Sequence, residues 1–274
     1  MIEIPESITI AKQLNDTVKG KKIIEAEAGH TQHSFAFYHE DPAGYANQMN
    51  GKRIGMAAGI GSMIEIELEE KRFVIGDGTN IRYYEPGRKL PERYQTRLTL
   101  EDGSSLICTV AMYGSMFLID PETYDNFYYL VGKEKPLPVT GDFDYEYFKE
   151  LREDVSGKNS VKEFLATKQR IPGLGNGVLQ DILLEAGLHP KRKLNTLMEQ
   201  DWRRMYEAVK GILSKMLAAG GRNTEKDLFD NPGGYQTLLS KKTVGGPCPY
   251  CGNLIQKASY LGGTIYFCPY CQES

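Results

Sequence analysis

Nothing in the 274 residues is long and apolar enough to span a bilayer, which sets integral helical membrane proteins aside. The opening Met1-Ile2-Glu3-Ile4-Pro5-Glu6 lacks the basic start and apolar core of a secretion signal, so a cytoplasmic protein is expected. Cysteine is scarce. There are five, four of them in two tight pairs and the fifth, Cys108, alone in an apolar run, which disfavours a disulfide framework. An excess of positive charge is missing too: 33 Lys and Arg stand against 36 Asp and Glu, and a net charge of −3 by itself argues against a nucleic-acid partner. Internal repeats and low-complexity tracts are also lacking. What remains, 41% hydrophobic and 25% charged, is the composition of a globular chain long enough for one large domain or two ordinary ones.

The average charge hides a split. Residues 1–154 carry 17 Lys/Arg against 26 Asp/Glu, a balance of −9, and residues 155–274 carry 16 against 10, a balance of +6. Two domains that simply differ in charge would give the same numbers. If a polyanion is bound, it meets the second half.

Residues 5–18 place Ile8, Ala11, Leu14 and Val18 at helical spacing, with Pro5 in the first turn and Gly20 at the stop. From Ile23 to Ile119 the period shortens to that of strands, as in 63–68, 73–75, 81–84 and 106–110. Turn signals at Gly76-Asp77-Gly78, Glu85-Pro86-Gly87 and Asp102-Gly103 punctuate them, which suggests a β-sandwich or barrel. Gly132 to Pro138 reads as a linker with little to bury. Helices are expected over 145–153, 160–167, 176–186, 199–219 and 232–239, and the cysteines follow from Gly245.

The tail runs Cys248-Pro249-Tyr250-Cys251, sixteen residues, then Cys268-Pro269-Tyr270-Cys271. Each C-x-x-C turns two thiolates onto one cation, and a hairpin turning at Gly262-Gly263 brings the pairs together. Four thiolates suit one tetrahedral Zn(2+) with no open position, a structural ion. Redox pairs or plain buried thiols are the alternative.

A second stretch, Lys168-Gln169-Arg170-Ile171-Pro172-Gly173-Leu174-Gly175-Asn176-Gly177, leads into an apolar-periodic helix that stops at Gly187. A glycine turn into a helix offers backbone N–H groups beside the positive end of the helix dipole, an anion site suited to a DNA phosphate. Asn176 would cap the helix or donate to that phosphate. A turn that only connects two helices is the plainer reading.

Taken together these stretches resemble the formamidopyrimidine-DNA glycosylase and endonuclease VIII family over nearly the whole chain. Pro172 to Asn176 followed by Ala186-Gly187-Leu188-His189-Pro190 looks like its helix–two-turn–helix signature. The tail ending Cys268-Pro269-Tyr270-Cys271-Gln272 looks like its zinc finger, Glu3-Ile4-Pro5-Glu6 like its N-terminal signature, and Asn231-Pro232-Gly233-Gly234-Tyr235 like the segment leading into the finger. The resemblance implies an α+β multidomain fold: an N-terminal β-sandwich flanked by helices (1–131), a linker (132–144), a helical helix–two-turn–helix domain (145–244) and a zinc-finger β-hairpin (245–274). It also implies a monomer that binds damaged or kinked double-stranded DNA in the cleft between the halves, in a cytoplasmic, nucleoid-associated setting. Lys162 and Asn176 align with the family's phosphate-binding lysine and asparagine. Gly175, Lys168 and Arg170 accompany them, and Met112 and Tyr113 stand where an inserted wedge fills the gap left by an extruded base.

Family chemistry is base excision: the base is flipped out, a terminal amine attacks C1′ to form a Schiff base, and the adjacent glutamate handles protons. That assigns catalytic roles to the terminal amine of Met1 or Ile2, to Glu3 and to Glu6, and hydrolase and lyase activities with them. The chain departs from the pattern where this matters. Position 2 is Ile rather than the attacking proline, so a retained Met1 displaces the amine by one residue, about 3.5 Å of chain. Ser62 replaces a hairpin lysine, Gly263 or Gly262 a phosphate-gripping arginine, and Met112-Tyr113-Gly114 an Arg-Phe-Gly wedge, while an intercalating methionine aligns near Asp77. Three functions therefore stand: a DNA glycosylase using Glu3 and a terminal amine without proline-type strand cleavage, a catalytically degenerate module for damaged or distorted DNA, and a zinc ribbon that binds RNA or protein.

Cys108 reads as core. His30, His33 and His39, oddly spaced in a loop, read as structural or solvated rather than metal-binding, and His189 as part of a helix end rather than a catalyst.

Overall fold

The computed structural model describes residues 1–76 and 78–272. Helix α1 (Ile4–Thr17) is followed by strands β1 (Ile23–Ala28) and β2 (Ala36–Tyr38) and by the short helix α2 (Tyr45–Met49). Strands β3 (Ile54–Ile60), β4 (Met63–Leu68), β5 (Lys71–Gly76), β6 (Thr79–Tyr84), β7 (Thr96–Leu100), β8 (Ser105–Val110) and β9 (Gly114–Ile119) come next. They form two sheets, one ordered β1-β7-β8-β6 and the other β2-β9-β5-β4-β3, antiparallel throughout except for the β2–β9 pair. Alternation in the sequence sets which face each strand buries. Ile81, Leu98, Leu106 and Cys108 of the first sheet meet Ile64, Ile66, Phe73, Ile75 and Leu118 of the second, all sealed from solvent. The expected β-sandwich is therefore present, with Cys108 in its core and its thiol pushed up to about 12 by burial.

The first helix stitches this sandwich to the rest of the chain. Ile10, Ala11 and Leu14 enter the sandwich core, while Ile4 enters a second core further along the sequence. Each fully buried Ile or Leu there stabilises the join by about 1.5–3 kcal/mol. Close approach requires Gly59 of β3, because a Cβ at that position would lie 2.7 Å from the backbone nitrogen of Ile8.

Helix α3 (Phe127–Glu134) occupies the start of the expected linker. Asn126 caps it, with Oδ1 accepting from the backbone N–H groups of Tyr128 and Tyr129, and Gly132 is buried near the Ile60 carbonyl. Phe143, five residues beyond Gly132 to Pro138, is fully buried in the second core, and Tyr129 is buried before that stretch, so aromatic anchors flank it. Helices α4 (Tyr145–Glu150), α5 (Val161–Ala166), α6 (Asn176–Ala186) and α7 (Glu199–Ala218) build that core from Phe148, Phe164, Leu179, Ile182, Trp202, Met205 and Ile212. Gly187 ends α6 at φ 67°, with Leu188 N–H reaching back to the Leu183 carbonyl, the Schellman arrangement that makes glycine the natural stop.

The helix expected over 232–239 is absent. Gly233 packs so tightly on Gly221 that a Cβ would come within 2.2 Å of its carbonyl carbon. The N–H groups of Leu238 and Leu239 are drawn off by the buried carboxylate of Asp181 at 2.9 and 2.8 Å. Finally β10 (Gln256–Tyr260) and β11 (Gly263–Phe267) pair as a hairpin. Its turn is Leu261-Gly262, with φ of 50° and 71°, rather than Gly262-Gly263, so Gly263 becomes the first strand residue.

Candidate nucleic-acid interface and the buried charge cluster at the N-terminus

Lys162 on α5 and Asn176 at the start of α6 converge on the β10–β11 hairpin. Lys162 Nζ donates to the Tyr260 carbonyl at 2.9 Å and Asn176 Nδ2 to the Thr264 carbonyl at 2.9 Å. A Cβ on Gly263 would sit 3.5 Å from Lys162 Nζ and 3.7 Å from Asn176 Nδ2. The helix pair and the tail thus present one cationic corner. Tyr260 adds its ring beneath both Lys162 and Lys191 at 6.0 and 5.4 Å. Burial holds the Lys162 ammonium below its ordinary range, so an arriving anion would meet an incompletely solvated cation. Gln180 locks the corner in place: its amide donates to the Asn176 carbonyl at 2.9 Å and its carbonyl accepts from Tyr266 N–H at 3.0 Å.

Behind this corner the glycine turn has an internal occupant. Gly175 is the residue preceding α6 and Asn176 its first helical residue, so Asn176 does not cap the helix. Glu3 does so from the far end of the chain: its carboxylate oxygens accept from Gly177 N–H at 2.9 Å and Val178 N–H at 2.7 Å. The anion that the glycine-rich helix start holds is therefore Glu3, from within the chain. Gly175 makes room for it, since a Cβ there would lie 2.5 Å from Glu3 Oε1. The Arg170 guanidinium also turns inward, donating to the Glu163 carbonyl at 3.1 Å at the end of α5, whereas Lys168 is exposed.

Glu3 belongs to a buried cluster. Arg222, in the loop after α7, approaches Glu3 Oε2 at 3.4 Å and clasps Glu6 with Nε at 3.0 Å and Nη2 at 2.7 Å. Glu6 also accepts from Glu3 N–H at 3.2 Å and Arg222 N–H at 3.1 Å. Burial raises the Glu3 carboxyl, Arg222 opposes that rise, and neighbouring Glu6 adds to it. Gly177 is obligatory for a steric reason, as a Cβ there would overlap the Arg222 guanidinium. Ile2 is buried in the sandwich core, and the terminal amine of Met1 is paired with Glu225. The crevice bounded by Glu6, Thr9, Arg222, Glu225 and Asp227 has about 0 Å³ open to water.

Arg222 and Glu225 were not foreseen. The sequence offers only Gly220-Gly221 ahead of them, a turn signal that carries no hint of a charge folded 216 residues back onto Glu6.

Met112 and Tyr113 lie in the β8–β9 turn with 69% and 37% of their surface exposed, and Tyr113 Oη stands 3.7 Å from Met1 Sδ. Ser62, in the β3–β4 turn, is backed by Gly61 against Pro172 and Gly173. Asp77 lies outside the described residues. His30 stacks on Tyr94 and pairs with Glu27, His39 abuts Tyr124, and His189 accepts from Lys191 N–H and packs on Phe267, all of them structural settings.

Ligand atoms of Cys248, Cys251, Cys268 and Cys271 all lie within 4.8 Å of one another, a group able to hold a metal ion. Among the described residues it is the one such group of three or more metal-ligating side chains. No helix among the described residues is long and apolar enough to cross a membrane.

Residues 135–227 match the family model described as the formamidopyrimidine-DNA glycosylase H2TH domain. Formamidopyrimidine-DNA glycosylase of Lactococcus lactis subsp. lactis is 26% identical over 278 residues, covering 100% of both chains, and that of Protochlamydia amoebophila is 28% identical over 286 residues with the same coverage. Among solved structures, the wild-type Lactococcus lactis Fpg in complex with DNA containing N7-benzyl-Fapy-dG superposes with a TM-score of 0.85 at 25% identity, over 99% of this chain and 100% of that one. MutM (Fpg) from Thermus thermophilus gives 0.81 at 24% identity, over 98% of each chain. A likeness that spans the sandwich, the helical half and the cysteine hairpin at full length makes the chain similar throughout to formamidopyrimidine-DNA glycosylases, and residues 135–227 carry the H2TH domain described for them.

Proposed function

We propose that this chain binds damaged or sharply bent duplex DNA as a base-excision-repair protein, seating a phosphate at the corner made by Lys162, Asn176 and the β10–β11 turn. The observation that carries this is the convergence of Lys162 Nζ and Asn176 Nδ2 on the turn beside Gly263. Met112 and Tyr113 fill the helical stack where a base leaves it. One Zn(2+) on Cys248, Cys251, Cys268 and Cys271 holds the hairpin. Four clustered sulfurs fit it, since thiolates of one sign brought this close need a cation between them. The ion supplies folding energy and takes no part in chemistry. The protein works as a monomer in the cytoplasm, on the nucleoid.

On catalysis the geometry favours the binding reading. The Met1 amine is paired with Glu225, and both oxygens of Glu3 are engaged by backbone N–H groups, with Arg222 close by. The raised pKa of Glu3 favours a second reading, in which a carboxyl poised above its ordinary range assists base release without covalent attack. Incubation with duplex carrying an abasic site, then with duplex carrying an oxidised purine, in the presence of borohydride, separates them. Binding with no covalent adduct and no free base is the expected result. Free base without an adduct supports the second reading, and an adduct overturns both in favour of amine catalysis.

A further inference from the structure

Of the nine methionines, Met49, Met116, Met205 and Met216 are sealed in the cores, whereas Met1, Met56, Met112 and Met198 keep 45%, 45%, 69% and 67% of their surface exposed. Two of these four exposed sulfurs share a place. Met1 and Met112 line one hollow of about 130 Å³, beside the β8–β9 turn, together with Gly78, Asn80, Ala111 and Tyr113. Tyr113 Oη stands 3.7 Å from Met1 Sδ, so the ring lies against one thioether and next in sequence to the other.

Met1 is tied down there by its backbone. Its amine is paired with Glu225, and its carbonyl accepts from Arg222 Nη2 at 3.2 Å, both partners belonging to the loop after α7. These ties hold the residue with its sulfur beside Tyr113. A thioether is apolar and only a weak hydrogen-bond acceptor, which suits a side chain that inserts between bases. It is also open to two-electron oxidation wherever solvent reaches it, and a hollow open to water admits a peroxide molecule.

We infer that Met1 and Met112 form an oxidation site that sets how firmly the protein grips distorted DNA, resting on the DNA-binding reading above. Hydrogen peroxide gives one oxygen to each sulfur: the O–O bond breaks, an S–O bond forms, the sulfur loses two electrons, and water leaves. The Met112 sulfoxide carries a polar group that finds no partner between stacked bases. The Met1 sulfoxide oxygen is a stronger acceptor than the sulfur that bears it, and Tyr113 Oη stands where it can donate to that oxygen, which holds the ring on the protein. Both changes withdraw the wedge from the duplex. The corner at Lys162 and Asn176 is untouched, so contacts to the DNA backbone persist.

The test measures affinity of the full chain for duplex carrying one abasic site and for the intact duplex, before and after limited treatment with hydrogen peroxide. Peptide masses locate each added oxygen, and their absence on buried Met205 and Met216 shows that the core is intact. Oxygen on Met1 and Met112 is expected to weaken binding of the abasic-site duplex by about tenfold, to change the intact duplex by less than about twofold, and to leave the salt slope as it was. A methionine sulfoxide reductase should restore the affinity. A double variant, Met56→Leu with Met198→Leu, should respond to peroxide as the wild type does, and Met112→Leu should respond less. Unchanged affinity in protein that carries both sulfoxides, an equal loss on the two duplexes, or a loss in Met112→Leu as large as in the wild type overturns the inference. A loss that the double variant escapes assigns the effect to other sulfurs and overturns it too. No binding of either duplex before oxidation overturns the DNA reading as well.

Discussion

The Arg222 guanidinium lies 3.4 Å from Glu3 Oε2, with side chains only 2% and 5% exposed, so residues more than 200 positions apart form a nearly dry ion pair. With Glu6 on its other side, Arg222 neutralises two carboxylates that would otherwise be buried beside each other. Arg222→Met leaves both without a cation. A loss of about 3–5 kcal/mol in urea unfolding is expected, because breaking a buried pair strands charge in a medium that solvates it poorly. Adding Glu6→Gln to that variant should restore part of the loss. Additive losses in the double variant would contradict this account.

The phosphate corner predicts a salt signature. Lys162→Ala should weaken every duplex to a similar degree and lower the slope of log affinity against log salt by about 0.9, one phosphate contact. An unchanged slope would place the phosphate elsewhere.

Gly263 gives the converse. A Cβ there meets its nearest neighbours at 3.5 Å, an ordinary contact, and Gly263 is not among the positive-φ glycines. Gly263→Arg should therefore fold normally, tighten binding to abasic-site duplex by up to about tenfold, and steepen the salt slope by about 0.9. Weaker binding by a folded variant would show that the corner faces away from DNA.

The elements that bring Lys162 and Asn176 together were legible in the sequence, the pairing of those two side chains came only from the family resemblance, and the charge cluster was half visible. Paired cysteines at matched spacing and a glycine turn before an apolar-periodic helix are local signals, and the hairpin, α5 and α6 followed from them. Glu3 and Glu6 were visible as carboxylates at a helix start, but their partner Arg222 comes more than 200 residues later and is selected by tertiary packing alone. The same limit explains 232–239, where Asp181 takes the N–H groups a helix would have used. Helix α3 was hidden because Pro136 and Pro138 dominate the local reading while Phe143 anchors the segment from outside it.

Asp181 makes that segment sensitive to pH. Burial pushes its carboxyl up to about 6 from an ordinary 3.8, against the lowering effect of the Leu238 and Leu239 N–H groups. Between about pH 4 and pH 6 the folded chain retains a proton that the unfolded chain has released. Its contribution to stability is therefore full below that window and falls as pH rises through it, by about 3 kcal/mol in all. The difference in unfolding free energy between the wild type and Asp181→Asn should decline across the window and level off above it. A difference that does not vary with pH would refute the assignment.

Chelation of the metal should unfold the tail first. Leu184, Leu239 and Ile255 form a small core with Cys248 and Cys268, too few side chains to hold a hairpin without a cross-link. Loss of hairpin amide protection in hydrogen exchange while the sandwich amides stay protected is expected, with one zinc per chain released. Retained protection after metal removal would show that the hairpin folds without it.

Most directly, affinity for a duplex carrying one abasic site can be measured beside its intact counterpart across a salt series. Tighter binding of the damaged duplex, with both affinities falling steeply as salt rises, is the predicted result. Equal affinities, or affinities that salt does not change, would contradict the claim that this chain grips the backbone of distorted DNA.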